Sequence, residues 1–316
     1  MAVIWCGNED VDFYPNPQGI DTTGTRTDYV RYGVSLDQQI VSNRFQELTD
    51  CWCSVRFWAS STLSGAPFLQ IRDYDSGNNI QLCKSSHNLL LRKNTTTLVD
   101  SGDIRLSDGN QKKTDLQLIN YGATATVNVF VNGVKVIEYT GDVSFAGITG
   151  FNCIATHPSG GSHSTHRNRG MTSEFIVATE DTRNMSLKTL APVAAGDVNE
   201  WVGDHTDINE NIANQNTYIQ TEELDKLFNA SLSGMPAVAK VYTVKAVKLT
   251  CRTGQSTAGG IQLGVKTNGV NYFGTTKDPT IEGTFEEFFH TNPETGIDWT
   301  PEDIDNLQLS IRSVTL

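Results

Sequence analysis

Hydrophobic and polar positions alternate over short stretches through the first half of the chain, the period of a half-buried strand. Such stretches run from Tyr29 to Leu36, Cys51 to Trp58, Phe68 to Arg72, Ile80 to Cys83, Leu89 to Arg92 and Leu116 to Tyr121. Turn-forming clusters separate them, among them Asp75-Ser76-Gly77-Asn78 and Ser107-Asp108-Gly109-Asn110. No helical period stands out before residue 190. Many short strands at this spacing predict an all-β sandwich or jelly roll rather than a parallel sheet with crossover helices.

The sharpest local pattern is Thr124 to Thr140, TATVNVFVNGVKVIEYT. Two β-branched runs flank Asn132-Gly133, a dipeptide that tolerates positive φ at both central positions of a type I′ turn. The pattern predicts a hairpin, with Val127, Val129 and Val131 on one face of its first strand.

The alternation then lapses. Residues 179–196 are rich in small residues, carry a proline and read as a linker. Strand patterns resume at Ala237 to Arg252, Gly260 to Lys266 and, after an Asn268-Gly269 turn, Val270 to Gly274. Near the end, Thr300 is placed to cap a short helix, with Pro301 at its first position and Asp303 at its third, ahead of a last strand from Leu307 to Thr315. The expected organisation is a jelly roll over 1–178, a linker over 179–196 and a smaller β-sandwich over 197–316.

Composition narrows the function classes. Of 316 residues, 38% are hydrophobic and 19% charged, enough apolar content to bury a core. No run approaches the ~18 apolar residues of a membrane span, and the opening MAVIWCGNEDVDF has neither the basic nor the apolar region of a secretory signal. The net charge of −12 argues against a partner that tracks nucleic-acid phosphates. Residues 197–316 hold 8 basic and 17 acidic side chains, so most of the excess sits there. Six cysteines, at 6, 51, 53, 83, 153 and 251, form no CxxC pair and no zinc-ribbon spacing. Cys51 and Cys53 point to one face of a strand and are poorly set to bridge each other. Buried free thiols are the simpler reading, with disulfides between subunits in an oxidising medium as the alternative.

Several motifs together resemble a family. The hairpin VNVFVNGVKVIEYTGD, preceded by DLQLINYG and followed by ITGFNCIA, is similar to the concanavalin A-like or laminin-G-like jelly roll. The opening VIWCGNEDVDF with YVRYGVSL resembles the start of tailed-bacteriophage virion proteins that carry this domain. EFIVATEDTRNMSLKTLAP and GDVNEWVGDHTDINE resemble the passage into a second β-domain, and TNPETGIDWTPEDIDNLQLSIR its end. The resemblance implies a structural part of a virion (neck or collar, head decoration, baseplate or fibre attachment), made in the host cytoplasm. Its partners would be capsid, neck or tail proteins and further copies of itself. The alternative it implies is a carbohydrate-binding receptor module of a tail fibre, with a host surface glycan as ligand.

Each group of residues that could carry site chemistry also has a simpler structural role. Glucanases of this fold class alternate three carboxylates on one strand as Glu-x-Asp-x-Glu. No such triplet occurs; Glu222-Glu223-x-Asp225 and Glu286-Glu287 have other spacings and fall in the second half. No Gly-x-Ser-x-Gly elbow is present either, so no enzymatic activity is expected. His157, His163 and His166 crowd a glycine- and serine-rich loop ahead of Arg167 and Arg169, but match no metal-ligand spacing. Asp73, Asp75, Asn78 and Asn79 offer oxygens to a calcium ion, yet DYDSGNN is also ordinary turn chemistry. Trp52 and Trp58 lie on the strand face opposite Cys51, Cys53, Val55 and Phe57, which predicts a strand covered on both sides; Trp58 as a sugar-stacking ring is the alternative. Trp201 and Trp299 are expected to pin the ends of the second domain. The sequons at Asn94, Asn184 and Asn229 read as chance matches. The sequence therefore assigns no catalytic residue, no metal ligand and no cofactor.

Overall fold

The computed structural model describes residues 2–8, 12–14, 34–35, 40–59, 65, 67–106, 111–156, 170–209, 216–235, 237–239, 241–254, 256 and 259–316. The chain is nearly all β and divides into two compact units, Met1–Leu187 and Lys188–Leu316.

Two antiparallel seven-stranded sheets make the first unit. One runs β1 (Val3–Gly7), β14 (Gly170–Ala178), β5 (Cys51–Ala59), β10 (Lys112–Ile119), β11 (Ala125–Val131) and β12 (Val134–Gly141), with β3 (Val34–Ser35) also on β14. The other runs β2 (Phe13–Tyr14), β4 (Ile40–Ser42), β13 (Cys153–Thr156), β6 (Pro67–Arg72), β7 (Asn79–Ser85), β8 (Asn88–Lys93) and β9 (Thr96–Asp103). The chain passes repeatedly from one sheet to the other, as in a jelly roll. Alternation decides what lies between the sheets. Cys51, Cys53, Val55 and Phe57 of β5 join Leu116 and Leu118 of β10 and Val127 and Val129 of β11 against Ile71, Ile80, Leu82, Leu89 and Leu91 of the opposite sheet. Phe57 stacks on Phe68 across the gap, ring centroids 3.9 Å apart. Each fully buried side chain of this size is worth roughly 1.5–3 kcal/mol against exposure.

The predicted hairpin is β11–β12. Asn132 (φ 49°) and Gly133 (φ 79°) make its left-handed turn. The turn is also stitched to a third strand: Asn132 N donates to Lys113 O at 2.8 Å, and Lys113 N to Asn132 Oδ1 at 2.9 Å.

The second unit packs a five-stranded antiparallel sheet on a two-stranded ribbon. The sheet runs β15 (Pro192–Asn199), β16 (Leu227–Leu232), β21 (Gln308–Val314), β18 (Gly260–Thr267) and β19 (Val270–Lys277); the ribbon is β17 (Val247–Thr253) with β20 (Gly283–Phe289). Helix α1 (Pro301–Asp305) begins as predicted, with Thr300 and Asp303 forming a reciprocal capping box.

Three expectations are corrected. Residues 192–196, read as linker, are the first part of β15, and the first unit extends beyond 178 to Leu187. An edge strand of small, mostly exposed residues that opens on proline has no apolar alternation to read. Ala237 to Arg252 is not one strand: Ala237–Ala239 is a 3-10 turn, and β17 starts at Val247. Among the described residues between them, Val244 alone makes a β-bridge, at Trp299, and β propensity without a partner strand makes no ladder. Finally, β10 starts four residues before the predicted Leu116 and ends at Ile119, where Asn120 turns to φ 55°. The Tyr29 to Leu36 stretch (apart from β3), the 107–110 turn and the histidine loop lie outside the described residues.

Candidate functional site

The acidic clusters do not converge. Glu286 and Glu287 are neighbours on β20 and so face opposite ways. Glu286 pairs with Lys248 at 2.9 Å, while Glu287 pairs with Lys277 at 2.8 Å and accepts from Thr275 N at 3.0 Å. Glu222, Glu223 and Asp225 are exposed, with Glu223 held by Lys226 at 2.9 Å. Neither set places two carboxylates across a substrate-sized gap.

The candidate calcium loop is a hydrogen-bonded turn. Asp73 Oδ1 accepts from Ser76 N at 2.8 Å, and these turn hydrogen bonds hold its carboxyl below the usual range. Asp75 pairs with Arg44. Asn94 accepts from Asn79 N through Oδ1 and donates to Asn78 Oδ1, each at 3.0 Å, so the Asp73 and Asn78 oxygens face the protein's own N–H groups, while the buried Asn79 Oδ1 has no hydrogen-bond partner. Among the described residues no three His, Cys, Asp or Glu side chains gather to hold a metal.

The aromatic residues are occupied by packing. Trp299 is 2% exposed, belongs to the core of the second unit and donates from Nε1 to Phe289 O at 2.8 Å, which corrects its expected place at the domain end. Trp201 is half-buried against the same core, its Nε1 bonded to Lys226 O at 3.1 Å. Trp58's side chain lies outside the described residues. Trp52 stacks on Phe130, centroids 5.6 Å apart, on the outer face of β5 and β11. Of the sequons, Asn229 is 1% exposed and bonded to Asn271 and Ser310, which leaves no room for a glycan.

Cys6, Cys51, Cys53, Cys83 and Cys153 are buried and Cys251 half-buried. Burial pushes the thiols of Cys83, Cys153 and Cys251 up to about 12. Contact with Cys51, 3.9 Å away, and then burial raise Cys53 as well. Disulfides between subunits therefore have no exposed thiolate to start from. In the native protein at pH 8, a thiol-exchange reagent is expected to label less than about one cysteine per chain within minutes. All six should react after denaturation. Rapid native labelling of two or more would contradict this burial.

The most elaborate polar site is one the sequence did not signal. Residues 179–187 leave β14 and lie as a strap on the outer face of β5, β10 and β14. Lys113 Nζ donates to Thr182 O at 2.6 Å and to Met185 O. Thr182 Oγ1 donates to the buried Asp115 Oδ1 at 2.8 Å. Leu187 N reaches Glu174 Oε2 at 3.4 Å, and the other Glu174 oxygen pairs with Arg56 at 2.9 Å. Arg183, gripped bidentately by Asp181, covers the Phe130 and Trp52 rings at 4.6 and 5.5 Å. Burial raises the Asp115 carboxyl, outweighing the nearby Lys113 ammonium, and burial likewise lowers Lys113. The covering element that the two-sided strand called for is this strap.

No family model and no curated protein matches the chain. Solved structures match at low similarity. The cellulose-induced protein Cip1 is 14% identical, with a TM-score of 0.37, over 55% of this chain and 94% of that one. An endo-beta-1,4-glucuronan lyase from the fungus Trichoderma reesei is 11% identical, with a TM-score of 0.38, over 57% and 96%. The botulinum neurotoxin serotype D binding domain is 9% identical, with a TM-score of 0.35, over 48% of this chain and only 39% of that one. At these values no activity or ligand transfers to this chain.

Proposed function

We propose that this chain is a non-catalytic structural component of a tailed-phage virion and works by protein–protein assembly, including with further copies of itself. The virion assignment rests on the motifs of the sequence, and one structural observation supports the assembly role. Among the large hydrophobic side chains exposed in the described residues, only Val134 belongs to the first unit. The others, including Val202, Tyr218, Leu224, Val241 and Ile281, are in the second. Scattered exposed apolar residues are ordinary, but their concentration in one small unit points to contact surface.

Val202, Tyr218 and Leu224 lie on segments that meet, since Val202 bridges Gln220 and Leu227 N donates to Glu200 Oε2 at 2.8 Å. Glu200, Glu222, Glu223 and Asp225 are exposed along the same segments. The complementary partner is a basic protein surface with an apolar centre. The carbohydrate-binding alternative has less support, because the Trp52–Phe130 pair is already covered by Arg183.

A mass-spectrometric inventory of purified particles tests the reading. The protein is expected among the virion proteins, in dozens of copies or more for a collar or decoration role and a handful for a tip. Its absence from purified particles would overturn the proposal.

A further inference from the structure

We infer that the strap over residues 179–187 is a reversible latch that sets the length of chain joining the two units. This inference does not depend on the virion reading. It starts from the composition of the covered face. Along β10, Thr114, Leu116 and Leu118 are buried, while Lys113, Asp115 and Gln117 take the other face; on β5, Ser54 and Arg56 stand opposite Asp115 and Lys113. Apart from Trp52 and Phe130, whose rings Arg183 covers, this stretch of the face is polar, with the apolar core on the sheet's other side. Lifting the strap returns Lys113, Asp115, Arg56 and Glu174 to solvent and leaves the core between the sheets intact.

The strap also contributes little apolar burial of its own. Thr182 is its one buried residue; its grips include the Lys113, Thr182, Glu174 and Arg183 contacts, and at its start Thr179 bonds to Ala2. Charged groups held under a cover give back in desolvation much of what they gain in pairing. Segments with few buried apolar contacts open well below the free energy of global unfolding.

Opening changes reach. With the strap docked, four residue steps separate Leu187, held by Glu174, from Ala191, held by Ser233 of the second unit. With it released, thirteen steps separate Ala178 from Ala191. At full extension these spans are about 14 Å and about 45 Å.

The test is hydrogen–deuterium exchange on the full chain, with small-angle scattering of the wild type and a Lys113→Met/Arg183→Ala double variant. In the wild type, amides of 179–187 are expected to exchange at least ~100-fold faster than those of β5 and β10. In the double variant, the largest dimension should grow by up to about 30 Å, with β5 and β10 protection retained. Strap amides that exchange only together with β5 and β10 would overturn the latch, as would a variant with unchanged dimensions. A variant that fails to fold would show that the sheet needs its strap, and would overturn it equally.

Discussion

Truncating Phe57 to alanine is expected to unfold the first unit and leave the second standing. Phe57 is 0% exposed, belongs to the core between the two sheets and is the β5 half of the stacked pair with Phe68. Removing its ring deletes contacts to both sheets at once, and the strands on either side cannot close the gap without breaking their ladders. Phe→Ala losses at such sites run to about 3–5 kcal/mol, a large share of the roughly 5–15 kcal/mol that holds a domain together. Calorimetry of the wild type should resolve two transitions, one for each core. In Phe57→Ala only one should fall, and Phe57→Leu should recover much of the loss. A single transition moving as a whole would mean that the two cores melt together.

The reciprocal experiment is Trp299→Ala. This ring is 2% exposed and packs in a core with Phe228, Leu263, Val265, Ile304 and Leu307. Its backbone bridges Val244 and its Nε1 satisfies the Phe289 carbonyl. The substitution combines a cavity costing about 3–5 kcal/mol with an unpaired carbonyl costing about 1–3 kcal/mol. The smaller core has less to spare, so the second unit should be largely unfolded at room temperature while the first melts as before. Trp299→Phe keeps most of the packing and loses the hydrogen bond, so it should cost about 1–3 kcal/mol, well short of the alanine variant. Equal melting of Trp299→Ala and wild type would refute the central place given to this residue.

The elements that were legible in advance share one physical origin: their side chains declare themselves within a few residues. Asn132-Gly133 states its turn through backbone conformation, Thr300-Pro301-x-Asp303 states a helix start, and β5 states its buried face through Cys51, Cys53, Val55 and Phe57. The strap was opaque because its central grips join residues distant in sequence, 67 positions apart for Thr182 and Asp115. An Asp at 115 and a Thr at 182 carry no local sign that they will meet. Edge strand β15 was hidden for a different reason, since it has too little apolar surface to show a period. The stretch from Ala237 was over-read because β-branched residues predict an extended chain but not a neighbour to pair with.

The pairing of β1 with β14 has a mechanical consequence. Val3 lies opposite Ala178, and the ladder continues outward as Thr179 N donates to Ala2 O at 3.2 Å. The first and last strands of the unit are thus antiparallel neighbours, and tension applied between residues 2 and 179 pulls across the ladder rather than along it. The hydrogen bonds then break one after another, as in a zipper, instead of resisting together in shear. Load passing through the chain at these two points is expected to peel β1 away at low force while the other strands keep their places.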